Sequence, residues 1–160
     1  MLTSNQEKNN EDNMKLCIQK LNRRVTLEDY ERYYKDHIKF NVWYQSPEVW
    51  SKAKKQKLID SIFKNYPIGE IYLRPIDEQE YKYGVLDGQQ RLHAIDDFID
   101  GEFETKSEYY PELGSIRYSD VKEHYNDNFL LRNWFHFTLC VHEITMDSEK
   151  AYREYISRIH

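Results

Sequence analysis

Cysteine is scarce in this 160-residue chain: there are two, Cys17 and Cys140, and they have no CxxC spacing. A disulfide framework is excluded, and a reduced, cytoplasmic setting is the expectation. Long apolar runs are missing as well. No stretch approaches the roughly 18 residues that a membrane span needs, and the N-terminus lacks the apolar core of a signal peptide. There is no excess of positive charge, the formal net charge being −5 and the pI near 5.7. That excludes a surface built throughout for nucleic acid and confines any DNA contact to a local patch. The six histidines form no HxH, HExxH or Cys/His group, so no metal ligands are assigned. A Walker-type glycine-lysine loop, a GxSxG elbow, internal repeats and low-complexity tracts are all lacking.

What is present is globular: 39% hydrophobic and 32% charged residues, at a length that suits one domain with one core. The 14 tyrosines read as half-buried packing residues with solvated hydroxyls. Residues 1–13 are almost wholly polar and read as a flexible arm, leaving 14–160 as a single domain.

Thr26 with Asp29 three residues later predicts a helix start, and Leu27, Tyr30, Tyr34 and Ile38 continue along one face. Phe40 to Trp50, broken by Pro47, reads as extended or looped. Ser51 caps a second helix burying Leu58, Ile59, Ile62 and Phe63, which Pro67 ends. Ile71 to Leu73 is a short strand, Pro75, Asp77 and Glu80 form a loop, and Tyr81 to Leu86 is another strand. Leu92, Ile95, Phe98 and Ile99 define a helix stopped by Gly101. Glu102 to Asn133 has only weak periodicity. Phe137 to Ile144 alternates as a strand, and Asp147 or Ser148 caps a last helix carrying Tyr152, Tyr155, Ile156 and Ile159.

The most informative stretch is Leu86 to Ala94, where an apolar strand meets an amphipathic helix through Asp87-Gly88-Gln89-Gln90-Arg91. A helix starting near Gln89 aims its unpaired N–H groups and positive dipole end over the loop, which is a phosphate cradle. The same pattern also arises where a strand and a helix simply meet. Paired glutamines are expensive for plain structure, and Arg91 lies one turn inside with a planar donor fork. Asp87 admits three roles: holding a divalent metal through water, orienting Arg91, or capping the helix. His93 lies about 200° around the helix from Arg91 and is given no catalytic role. His124, Asn126 and Asn128 read as a polar loop.

Two further groups precede the loop. Tyr44, Gln45 and Trp50 can stack and read a base or sugar, or can pack in the core. Lys52, Lys54, Lys55 and Lys57 oppose the helix dipole at the start of the second helix, which makes them either a DNA-binding patch or a solvated face.

Tyr44-Gln45-Ser46-Pro47-Glu48-Val49-Trp50-Ser51, Lys57-Leu58-Ile59-Asp60-Ser61-Ile62, Tyr66-Pro67-Ile68 and Asp87-Gly88-Gln89-Gln90-Arg91, in that order, resemble the N-terminal domain of GmrSD-type modification-dependent restriction systems and related phage-defence proteins. The resemblance implies an α/β (α+β) fold of the ParB/sulfiredoxin-like kind, a small mixed sheet flanked by helices. It also implies a nucleotide site made of Tyr44, Gln45, Asp87, Gly88, Gln89, Gln90 and Arg91, serving an NTP with Mg2+. Gly88, Arg91 and Ala94 are similar to the GxxRxxA phosphate motif of ParB-type CTP-binding proteins.

Within that site Asp87, Gln89 and Arg91 are the expected catalytic residues for NTP hydrolysis. The family commonly has arginine where this chain has Ser46, so binding is the firmer expectation and hydrolysis the further one. Family members usually continue past the last helix, which implies a longer protein or a nuclease subunit as partner. The expected role is thus a nucleotide-binding sensor coupled to DNA recognition. The alternative is a non-enzymatic DNA-binding or partner-binding module, and direct DNA cleavage is not expected, since no carboxylate cluster accompanies the loop.

Overall fold

The computed structural model describes residues 18–40 and 49–159. The expected N-terminal arm therefore lies outside the described residues. Five strands, β1 (Ile18–Thr26), β2 (Ile38–Lys39), β3 (Ile71–Glu78), β4 (Tyr81–Asp87) and β5 (Thr138–Met146), form one mixed sheet in the order β1-β5-β3-β4-β2. Among the described residues six helices flank it: α1 (Leu27–Tyr33), α2 (Lys52–Phe63), α3 (Gln89–Ile99), α4 (Tyr118–His124), α5 (Phe129–His136) and α6 (Glu149–Ile159). The arrangement is α/β, as expected.

Side chains alternate across the sheet, so each face has its own cluster. Ile71, Leu73, Val85, Leu139 and Val141 join residues of α1 to α5 in the main core, where Ile59, Ile62, Phe63, Phe98 and Trp134 are fully buried. Leu86 and Ile144 meet Tyr152 and Ile156 of α6 on the opposite face.

The expected caps form. Thr26 Oγ1 accepts from the Asp29 amide at 3.1 Å, Ser51 Oγ from the Lys54 amide at 3.3 Å, and Ser148 Oγ from the Ala151 amide at 3.1 Å. Gly101, at φ +78°, stops α3 in a Schellman turn in which the Glu102 amide donates to the Asp97 carbonyl.

Three boundaries differ from expectation. α1 stops at Tyr33, and after a 3-10 turn Ile38 pairs in parallel with Tyr83. Its β-branched side chain enters the same core from a strand, which is why the helical spacing continued through it. α2 is ended by Asn65 rather than Pro67. Asn65 adopts φ +57° and closes another Schellman turn, with the Tyr66 amide donating to the Ser61 carbonyl at 2.8 Å.

β3 also runs on through Pro75 and Asp77 into a tight hairpin with β4, where a loop was expected. β5 pairs with β3 only over Ile71 to Leu73, so Pro75 falls where β3 has a single neighbour and its missing N–H is tolerated. The weakly periodic stretch holds α4, the start of α5 and a 3-10 turn. It is moored by the Tyr110 hydroxyl donating to the buried Asp60 carboxylate at 2.6 Å and by the Ile116 amide donating to Thr105. Asn128 caps α5.

Candidate functional site

The pairing of β3 with β4 shifts by one residue at its end: Tyr72 faces Asp87 while Leu73 faces Val85. Leu86 is the extra residue of a β-bulge, turned into the α6 cluster, and the bulge re-aims Asp87 into line with Tyr72. Gly88 follows at φ +98° as the N-cap of α3. A β-carbon there would lie 2.6 Å from Ile71 Cδ1, a fully buried side chain, so only glycine fits the turn. The Asp87 carboxylate accepts from the Gly88 amide at 2.8 Å. It is therefore the glycine, bringing no capping side chain, that occupies the N-cap position.

The Arg91 guanidinium lies beside its own loop, Nη2 standing 3.5 Å from the place of a β-carbon on Gly88. It reaches to the segment before β3, where its Nη2 donates to the Glu70 carbonyl at 2.8 Å. The guanidinium lies against a second left-handed glycine, Gly69 at φ +92°, whose absent β-carbon would stand 2.7 Å from Nη1. Its Nε–H is buried and has no hydrogen-bond partner among the described residues. Gln89 is buried, and the Gln90 side chain accepts from the Trp50 amide at 3.2 Å.

A polar row, unseen in the sequence, runs across the sheet into this loop. Asn22 of β1 pairs in register with His142 of β5, His142 with Tyr72 of β3, and Tyr72 with Asp87 of β4. His142 stacks on Tyr72 with ring centres 4.8 Å apart, and its Nε2 lies 3.2 Å from the Glu70 carboxylate, which also accepts from the Tyr72 hydroxyl at 2.7 Å. The Tyr72 hydrogen bond first, and then the neighbouring His142, hold the Glu70 carboxyl below the usual carboxylate range. Reciprocally the Tyr72 hydroxyl is pushed up to about 12, chiefly by its bond to Glu70. Glu70, Tyr72, His142 and Gly69 escaped sequence reading because strand register, rather than local spacing, gathers them.

The remaining expected residues are placed as follows. Tyr44 and Gln45 lie outside the described residues. Phe40, before them, stacks on His93 with centroids 4.1 Å apart, and Trp50, after them, bonds Gln90 one turn earlier on the same helix. Among the lysines, Lys55 is drawn to Asp97 of α3 at 2.5 Å, Lys52 lies 3.8 Å from Glu104, Lys54 covers the Trp50 ring at 4.5 Å, and Lys57 is exposed. No group of three His, Cys, Asp or Glu suited to a metal occurs among the described residues.

A family model, the GmrSD restriction endonuclease N-terminal domain, matches residues 30–158. The chain belongs to that family. This GmrSD N-terminal domain matches no curated protein. The family match takes in all of the described site except Asn22, since β1 precedes its first residue. Among the described residues no helix is long and apolar enough to cross a membrane. In GmrSD terms the chain is a domain of a restriction system. The Tyr66-Pro67-Ile68 segment that helped mark the resemblance leads directly into Gly69 and Glu70, the contacts of Arg91.

Proposed function

We propose that this GmrSD N-terminal domain binds a nucleoside triphosphate, with its phosphates over the start of α3, and couples that occupancy to DNA recognition in the restriction system. One observation carries the reading: a buried Arg91 Nε–H without an acceptor among the described residues, on a guanidinium held between Gly69 and Gly88, beside a helix whose N-cap has no side chain. An anion supplies what such a donor and such a helix end lack. Magnesium fits as a companion of the phosphates, since it is commonly held by one or two carboxylates plus substrate oxygens and needs no preformed cage. We assign it to Asp87, the carboxylate of the loop, where the ion would neutralise phosphate charge.

Hydrolysis extends the same geometry. In this reading Asp87 and Gln89 orient a water and Arg91 stabilises charge on the transferred group. A nuclease domain or subunit completes the system. The lysine cluster is weaker support for direct DNA binding, because Lys55 and Lys52 have acidic neighbours.

Isothermal titration with ATP, GTP, CTP and UTP in magnesium tests the reading. Binding of at least one, weakened roughly tenfold to a hundredfold by Arg91→Ala, is the expected result. Absence of nucleotide heat in both proteins overturns it. DNA affinity without nucleotide, falling steeply with salt and weakened at Lys54 and Lys57, would favour the DNA-binding alternative.

A further inference from the structure

We infer that His142 and Tyr72 are positioning residues for Arg91, acting through Glu70. The inference rests on Arg91 serving the proposed nucleotide site. Arg91 Nη2 is held by the main-chain carbonyl of Glu70, so the arginine is only as well placed as that peptide. The peptide follows Gly69, whose left-handed backbone has no side chain to pack against anything. Fully buried Ile71, paired with Val141, holds it from the β3 side, and the Glu70 side chain holds it from the other, accepting from the Tyr72 hydroxyl at 2.7 Å and lying 3.2 Å from His142 Nε2.

Both partners stand on paired inner strands and stack on each other, and the other ring nitrogen of His142 meets the Asn22 side-chain oxygen on β1. Three strands thus hold one carboxylate, its carbonyl holds the guanidinium, and the guanidinium is left with a donor to offer. Glu70 itself is largely exposed, with 53% of its side-chain surface accessible. An exposed carboxylate this close to an anion site works against binding by its charge. The anchoring role accounts for a carboxylate at this position.

The test has two readouts. The first needs no nucleotide: the side-chain Nε–H resonance of Arg91, identified by its loss in Arg91→Lys, is followed by NMR in the full chain. It is expected to be dispersed and slow to exchange in the wild type, and averaged in His142→Ala and Tyr72→Phe.

The second is a double-mutant cycle. Tyr72→Phe lowers affinity for the tightest-binding NTP roughly fivefold when Arg91 is present and leaves it unchanged in the Arg91→Ala background. An Arg91 resonance unaltered in Tyr72→Phe overturns the inference, as does a loss of affinity that persists without Arg91. Failure of the wild type to bind any NTP defeats the nucleotide reading alone, because the resonance still reports whether Arg91 is held. Tyr72→Phe removes one hydroxyl and keeps the ring stack, so the test stands even if His142→Ala fails to fold.

Discussion

Replacing Gly69 by alanine separates the cost of backbone strain from the cost of moving Arg91. The residue sits at φ +92°, where a β-carbon carries a penalty of roughly 1–2 kcal/mol. For a domain of this size, at roughly 2–4 °C per kcal/mol, melting falls by about 2–8 °C. The new carbon also stands 2.7 Å from Arg91 Nη1, closer than real contacts allow, and 3.2 Å from Cζ, tighter than most. Those atoms end a flexible side chain, so the guanidinium yields and the backbone stays, and the bond to the Glu70 carbonyl is lost. Nucleotide affinity therefore drops about tenfold, the low end of what losing a charge-assisted contact costs, and approaches that of Arg91→Ala. Gly114→Ala is the control. It imposes a similar left-handed strain, at φ +69°, with nothing within 4 Å of the added carbon. Calorimetric melting and NTP titration of the two variants should show matched losses of stability and a loss of affinity in Gly69→Ala alone. Wild-type affinity in Gly69→Ala, or an equal loss in both, would refute the reasoning.

Two other outcomes follow from the same geometry. Gly88→Ala meets the side chain of fully buried Ile71 rather than a mobile arginine, so strain and overpacking together cost about 2–5 kcal/mol; a loss below about 1 kcal/mol in urea unfolding would mean that Ile71 swings aside. Burial raises the Asp96 carboxyl to about 7, although the Tyr30 hydroxyl donates to it at 2.8 Å. The folded state therefore holds a proton that the unfolded chain has released, and stability is expected to fall as pH rises from about 4 to about 7; Asp96→Asn should flatten that part of the urea-midpoint profile, and an unchanged slope would sink the assignment.

Local chemistry was legible in the sequence where one short segment decides the outcome. Thr26, Ser51 and Ser148 cap because a hydroxyl two or three residues before an amide needs no tertiary help. Gly101 and the Asp87 to Arg91 turn are likewise self-contained. Ile38 was misread because a strand and a helix can bury the same side chain in the same core. Pro67 reads as the stop because proline is a strong breaker on average, while the left-handed asparagine completes the turn two residues earlier. β1 is held by a nine-residue ladder to β5 while most of its side chains are exposed, which leaves little hydrophobic pattern to read. The polar row from Asn22 to Asp87 depends on pairings between strands far apart in the chain, and so was invisible to spacing.

The family match begins at Tyr30, yet the folded unit does not. A recombinant domain trimmed to residues 30–158 would lose the whole of β1, along with buried Val25 and Leu27. β5, with Leu139 and Val141 facing the core, would become an open sheet edge available to other copies of the chain. Boundaries drawn by similarity would thus yield a protein prone to aggregate, with His142 stripped of its Asn22 partner. The strand that lies outside the family match is the one that covers this side of β5.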